Sequence, residues 1–329
     1  MIVVFGSNIL DQFFELPDLD FFKNDRGEDA IHLHGHTEAP GGKGANQAVA
    51  AALAGADVRF FGAVGEGGHG RALIKNFQSH GINTNGILLT ETPTGVASIM
   101  NLPGGKHRIV VSQGANVLAK QSQVADELLQ QKPTLLLQAE LNPTENEGLI
   151  LRAANFGCRI ILNIAPAKPL SRAALEKLSY LIVNEAEAEA TCKHLGLSTG
   201  KGEEMAVTLA TALQLTAIVT MGEKGAVAVE KNNLARIIAV PALSITAVDS
   251  VGAGDAFCGA FAEAIDRGDT FENALRRGAV AGSLACTKVG AQTALPNKLE
   301  IDQHLVNLGA SVFTAPPVSG IAGTQKVRA

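Results

Sequence analysis

The sequence predicts an α/β fold: a mainly parallel central sheet with helices on both faces, plus a small, half-exposed second sheet. Three observations predict it. Short, continuously apolar segments alternate with helix-like stretches, the rhythm of strand–helix–strand units. Of 329 residues 46% are hydrophobic but only 4% aromatic, with no Trp. The core must therefore use Ala, Val, Leu and Ile, which suits helices packed closely on a doubly covered sheet. Two polar stretches, 11–40 and 94–113, break the rhythm with alternating or hairpin patterns.

Taken in order, IVVFG (2–6) predicts a buried first strand. From Asp11 to Pro40 the chain is polar, and His32, His34 and His36 alternate. PGGKGANQAVAAALAGA (40–56) is a Gly-rich turn running into an Ala-rich helix. VRFFGAVG (58–65) is a second buried strand, and RALIKNFQSHG (71–81) a helix stopped by Gly81. TGVASIMNL (94–102) and HRIVVSQ (107–113) flank PGGK as a hairpin. TLLLQAEL (134–141), RIILNIAP (159–166), YLIVNE (180–185), AIVTMG (217–222) and GAVAVE (225–230) predict further strands. Helices are expected at NEGLILRAANFG (146–157) and SRAALEKLS (171–179). The segment 312–329 has no period and is expected to be a flexible tail. The main domain is thus assigned to 1–10, 41–93 and 114–311, with 11–40 and 94–113 inserted in it. In such sheets ligands bind outside the carboxyl ends of the strands.

A net charge of −5 implies no general attraction to nucleic acid or anionic membranes. Cys158, Cys192, Cys258 and Cys286 form no CxxC pair, which disfavours zinc knuckles and redox motifs and fits a reducing cytoplasm. The first residues lack a basic signal region, and no apolar stretch approaches the roughly 18 residues of a membrane span. A cytoplasmic location is expected.

The chemistry concentrates in AVDSVGAGDAFCGAF (247–261). Glycines at a helix start let an anion approach free backbone N–H groups at the positive end of the dipole. A carboxylate beside such an anion hole makes sense if Asp255 orients or deprotonates a hydroxyl that attacks a phosphoryl group. The alternative is that Asp255 caps a helix over 255–265. A second Gly-rich turn, GGKGAN (41–46), is either a binding turn or a packing device. No GxxxxGK[ST] occurs, and no GxGxxG follows the first strand, which disfavours a Walker-type loop and a nicotinamide enzyme. Asn184 and Glu187 follow a buried strand, where an acid could hold Mg²⁺ directly or through water. Glu185 and Glu189 fit a solvated helix face. The alternating histidines read as a solvated face, since zinc would need further ligands. Cys258 reads as a buried thiol.

Together these motifs resemble the ribokinase family of sugar kinases, the PfkB type. GGKGANQAVAAA (41–52) and AVDSVGAGDAFCGAF carry the resemblance, with NIAPA (163–167), NEAEAE (184–189), TMGEKG (220–225) and VGAQ (289–292) in the family's order over about 1–305. The resemblance implies a ribokinase-like three-layer sandwich with 11–40 and 94–113 as a β-sheet lid, which in relatives also makes a homodimer contact. It implies transfer of the ATP γ-phosphoryl group to a primary hydroxyl of a sugar, with ribose giving ribose 5-phosphate. Asp255 then corresponds to the catalytic base and Gly252, Ala253 and Gly254 to the anion hole. Asp11, Gly42, Lys43, Gly44, Asn46 and Glu140 correspond to sugar contacts. Asn184, Glu187, Thr220, Gly222, Gly225 and Gly254 correspond to nucleotide and Mg²⁺-phosphate positions. Asp249, Val251, Ala285, Lys288 and Gly290 correspond to a K⁺ site.

Two departures stand out. Ala294 occupies a position that often offers a Ser hydroxyl to K⁺. Ile9 stands where ribokinases carry an Asn two residues before the sugar-binding Asp, with Asn8 shifted by one. The second departure brings in 2-deoxyribose, another small sugar or a nucleoside as alternative acceptors. A sugar-binding regulator without activity is the rival from another class. The intact Asp255, anion hole and Glu187 count against it.

Overall fold

The first strand, β1 (Ile2–Phe5), is buried on both faces, and its side chains divide between two apolar cores. Ile2 and Val4 join one core, Val3 and Phe5 the other, as alternation along a strand requires. The computed structural model describes residues 1–16, 35–102 and 106–316. The further strands are β2 (Ile9–Glu15), β3 (Thr37–Gly41), β4 (Val58–Gly65), β5 (Asn83–Thr90), β6 (Gly95–Leu102), β7 (Lys106–Ser112), β8 (Thr134–Gln138), β9 (Arg159–Asn163), β10 (Tyr180–Asn184), β11 (Thr216–Thr220), β12 (Ala226–Glu230), β13 (Asn233–Val240) and β14 (Val312–Thr314). The helices are α1 (Lys43–Ala54), α2 (Gly68–Ser79), α3 (Asp126–Leu129), α4 (Pro143–Asn155), α5 (Arg172–Leu175), α6 (Glu185–His194), α7 (Gly202–Leu213), α8 (Ala253–Arg267), α9 (Phe271–Ala285) and α10 (Lys298–Leu305).

A ten-stranded sheet runs β14-β13-β12-β11-β10-β9-β8-β1-β4-β5. It is parallel from β11 to β5, and antiparallel from β11 through β14. Helices α4, α6 and α7 cover one face and α1, α8, α9 and α10 the other. This is the ribokinase-like three-layer sandwich. A separate four-stranded sheet, β3-β2-β6-β7, forms the lid. Its central pair β2–β6 is parallel and the outer pairs are antiparallel. Of the inserted segments, residues 17–34 and 103–105 lie outside the described residues, so His32, His34 and most of the PGGK turn are not placed.

Small residues bring the key helices together. Gly259 of α8 leaves room for Ala50 and the backbone at Gln47 and Ala51 of α1. That contact sets the starts of α1 and α8 side by side under the lid. Burying the apolar side chains of α8, among them Phe257, Phe261 and Ile265, anchors it. Each such side chain contributes about 1.5–3 kcal/mol.

Several expectations are corrected. Val312–Thr314 is not part of a loose tail: it pairs with β13, and Arg236 lies over the Phe313 ring at 3.9 Å. Three residues are too few to show a period, and the open edge of β13 recruits them. The large sheet therefore includes Val312–Thr314, and 317–329 lie outside the described residues. Over 171–179 only Arg172–Leu175 is helical, because the Ser179 N–H already bonds to Ile160 O at the entry to β10. Elements β5, β13, α7, α9 and α10 fall in stretches to which the sequence analysis assigned nothing.

Candidate active site

At the start of α8, Gly252 has φ 78° and is the N-cap. A side chain there would be strained, and would crowd the backbone of Ala291. The helix begins at Ala253, earlier than the 255 expected of a cap. Asp255 lies in its first turn and makes no capping bond, which sets aside the capping alternative. Instead it is buried, accepting Asn46 Nδ2 on Oδ2 at 3.0 Å and Gln47 Nε2 on Oδ1 at 2.9 Å. Burial pushes its pKa up. Lys43 opposes that most, followed by the two amide bonds.

The turn before α1 supplies the facing wall. Gly44 packs so closely that a β-carbon would strike Gly6 and Ser7. Its N–H donates to Ser7 Oγ at 3.2 Å, and Lys43 N–H donates to Glu140 Oε2 at 2.9 Å. The Ser7 hydroxyl also donates to Glu140 Oε2. Glu140, just beyond β8, is thus fixed by the α1 start. The Lys168 ammonium also bonds its carbonyl at 2.9 Å. Asp11 projects from β2 across Gly41, where a β-carbon would collide with its carboxylate. Burial, then Glu140 and Asp255, push the Asp11 pKa up to about 7. The Lys43 ammonium is held protonated chiefly by Asp255, then by Glu140 and Glu187. Asp11, Gly42, Lys43, Gly44, Asn46, Glu140 and Asp255 therefore converge, although they come from four separate segments.

Ile9 is buried two residues before Asp11, so both project from the same face of β2. Asn8 does not replace the missing amide there. Its backbone pairs with the Asn116 side chain, and its own amide is buried with neither side-chain atom hydrogen-bonded.

The second group lies at the carboxyl ends of β10 and β11, where Asn184 and Thr220 are register partners. Asn184 and Glu187 form a reciprocal cap on α6, at 2.8 and 2.9 Å. One Glu187 oxygen is committed to that cap. Burial raises the pKa of Glu187, opposed by the Asn184 N–H and Lys43. Gly222 and Gly225, at φ 58° and 90°, shape the tight β11–β12 turn. The link between Glu187 and Asp255 is Lys43, whose charge bears on both.

The proposed cation positions form a third group. Asp249 accepts the N–H groups of Val251 and Gly290, both at 3.0 Å, and so ties the loop before α8 to the loop after α9. The Lys288 ammonium pairs with Glu300 at 3.3 Å. Ala285 and Ala294 are buried. Among the described residues no three His, Cys, Asp or Glu side chains gather as a metal site. His36 pairs with Glu38 at 3.3 Å. Sequence reasoning missed Ser7, Gln47, Gln138 and Asn163. Gln47 and Asn163 lay inside the motifs GGKGANQAVAAA and NIAPA without being given a role, and Ser7 directly follows a strand and a glycine.

A buried carboxylate at a glycine-opened helix start, opposite a second carboxylate cluster, defines a phosphotransferase with an alcohol acceptor. Residues 1–298 match the pfkB family of carbohydrate kinases. A ribokinase of Bacillus subtilis is 34% identical over 269 residues, covering 81% of this chain and 87% of its own. A deoxyribokinase of Salmonella typhimurium is 30% identical over 317 residues, 92% of this chain and 98% of its own. The ribokinase of Arabidopsis thaliana complexed with ribose and ATP superposes with a TM-score of 0.82 at 26% identity, covering 92% of this chain and 98% of that one. The chain belongs to the pfkB carbohydrate kinase family and is an ATP-dependent sugar kinase. No helix in the described residues is long and apolar enough to cross a membrane.

Proposed function

We propose that the protein transfers the ATP γ-phosphoryl group to the primary hydroxyl of a pentose, with D-ribose as first acceptor and ribose 5-phosphate as product. The observation that carries this is the buried Asp255 beside the Gly252 turn, facing Asp11 and Glu140. Asp11 and Glu140 accept hydrogen bonds from sugar hydroxyls, and an unpaired buried hydroxyl is strongly disfavoured, which gives selectivity. Asp255 orients the attacking hydroxyl and takes its proton. The new O–P bond forms as the bond from the γ-phosphorus to the bridging oxygen breaks, and ADP leaves. Charge developing on the transferred group meets the N–H groups of Gly252 and Gly254 and the Lys43 ammonium, with the Ala253 N–H, which donates to the Ser250 carbonyl at 3.3 Å, turning to it as that bond gives way.

Asn184, Thr220, Gly222 and Gly225 would receive the nucleotide. Glu187 would hold Mg²⁺ directly or through water, since one of its oxygens stays outside the cap. Magnesium supplies charge neutralisation on the phosphates. An all-oxygen set of the Asp249 carboxylate and the carbonyls of Val251, Ala285, Lys288 and Gly290 suits K⁺, and Lys288 turns its charge away to Glu300. Ala294 leaves that set without a hydroxyl.

Ile9 supports a second acceptor. A sugar hydroxyl directed at that face of β2 meets hydrocarbon, whereas a deoxy carbon fits it, as in the relative named a deoxyribokinase. Turnover with D-ribose and 2-deoxy-D-ribose, each with and without K⁺, tests both readings. Ile9→Asn should shift the ratio of kcat/KM values toward ribose by about tenfold, the worth of one hydrogen bond. An unchanged ratio would remove Ile9 from specificity. On the lid, Ile109, Val110 and Val111 are exposed along β7, an edge strand. A second copy covering that edge would make a homodimer. Val110→Lys should then leave a monomer in sedimentation, and an unchanged sedimentation profile would argue against a lid dimer. Four free cysteines accord with a reducing cytoplasm.

A further inference from the structure

The base is wired more deliberately than its role requires. Both oxygens of Asp255 are held by side-chain amides, and each of those amides is itself held. On one side Gln47 donates Nε2 to Asp255 Oδ1 at 2.9 Å and to Asn163 Oδ1 at 3.0 Å. Gln47 Oε1 receives Gln138 Nε2 at 2.8 Å. On the other side Asn46 donates Nδ2 to Asp255 Oδ2, and its Oδ1 receives Gln292 Nε2 at 3.1 Å. Gln292 Oε1 in turn receives Asn76 Nδ2 at 2.7 Å. The links span α1, α2, β8, β9 and the short turn Gln292–Ala294.

The polarity of both chains is fixed at their ends. Asn163 Nδ2 donates to the Ile182 carbonyl at 3.0 Å, and a carbonyl can only accept. Asn163 must then show its oxygen to Gln47, and Gln47 must show its amino group to Asn163 and Asp255. An ionised Asp255 likewise only accepts, so Asn46 must turn its amino group inward and its oxygen to Gln292. On the Gln292 arm every N–H points toward the base; on the other arm those of Gln138 and Gln47 do, while Gln47 also donates outward to Asn163, and Asn163 to Ile182. An amide turned the other way would set its oxygen against the carboxylate.

We propose that Gln292 is a positioning residue for phosphoryl transfer, locking the Asn46 amide against Asp255 so that its carboxylate stays ionised and aimed, with Asn76 as the outer anchor of this arm. The proposal rests on Asp255 being the base. The other titratable groups around Asp255 are Lys43 on α1, Glu140 beyond β8, Asp11 on β2, Glu187 on α6 and Cys258 on α8. Only Lys43 among them favours the ionised form, while Glu140, Asp11 and Glu187 oppose it. The amides add donors whose protonation does not change between pH 5 and 10.

The test is the pH profile of kcat/KM for the sugar at saturating MgATP, for the unaltered enzyme, Gln292→Glu, Gln292→Leu, Asn76→Leu and Asp255→Asn. Gln292→Glu keeps the size of the side chain but presents two acceptors, which draw the Asn46 amino group away from Asp255. The expected result is a kcat lower by about tenfold, little change in KM, and an acid limb moved up by about one pH unit, the same factor expressed as acidity. Gln292→Leu should move the limb the same way, and Asn76→Leu less. Melting temperatures recorded alongside separate this from simple loss of fold, which would lower activity equally at every pH. An acid limb unmoved in both folded Gln292 variants, with Asp255→Asn inactive, overturns the positioning role and leaves the base intact. Turnover retained in Asp255→Asn overturns the base itself, and the positioning role with it.

Discussion

The end of the site proposed for the sugar and the end proposed for the nucleotide are built from different materials. At the sugar end the chemistry is in side chains: Asp11, Lys43, Glu140 and Asp255 lie within each other's fields, burial raises the pKa of Asp11 and Asp255, and Asp255 raises that of Lys43. At the nucleotide end it is largely in backbone: the glycine turn of Gly222 and Gly225, the Asn184–Glu187 cap, and exposed positions after β10. The difference follows from the ligands. A sugar is neutral and is told from its rivals by single hydroxyls, so it needs directional groups in a dry site. A polyphosphate is highly charged and solvated, and backbone N–H groups with a metal ion suit it without burying a side-chain charge.

The contrast can be broken most severely at Asp255. Asp255→Asn keeps shape but not basicity. It should lower kcat by about 10³-fold, within the usual range for a general base, while calorimetry still detects sugar binding. Comparable turnover by the variant would show that the carboxylate is not the proton acceptor. Next comes Asp11→Asn. Losing a charged acceptor should lower kcat/KM for the sugar by about tenfold to a hundredfold, with KM for ATP unchanged. A matching change in the ATP constant would mean that the two ends are not separate.

Glu187→Gln sharpens the comparison from the other side. We expect a KM for MgATP raised by about tenfold and a sugar dissociation constant that does not move. An effect on sugar binding alone would reverse the assignment. The smallest effect concerns pH. In the folded, ligand-free protein Asp11 holds its proton up to about pH 7, against an ordinary carboxylate value near 4. A group raised on folding adds stability below its unfolded value and loses that contribution as pH rises through the folded one. The melting temperature should therefore fall between pH 4 and 7, and Asp11→Asn should flatten the fall. An identical slope in the variant would mean that Asp11 titrates normally. Over the same window sugar binding should tighten as Asp11 becomes a pure acceptor.

Much of this was legible in residue order. Continuous apolar runs located β1, β4, β10 and β11 because a strand buried on both faces has no polar side to show. The pair of glycine turns located both helix starts that frame the site, because only glycine tolerates φ near 80° or 90° and backbone contact at that distance. Elsewhere the local signal failed. β13 and β14 gain their pairing from a sheet edge that the local sequence cannot display, and α5 stops early because β10 claims the next residues.

Residue order alone carried the family and the layered fold and pointed to Asp255 as the proposed base, since each depends on local patterns: apolar runs, glycines at strained turns, and an acid at a helix start. Tertiary structure alone decided how that carboxylate is held. Gln47 and Asn163 are separated by 116 residues and Asn46 and Gln292 by 246. Amides in a sequence carry no sign of which partner will fix their orientation. Only the packing of α1 against α8, with the strand ends beside them, brings their dipoles to one point and makes the environment of Asp255 a property of the whole fold.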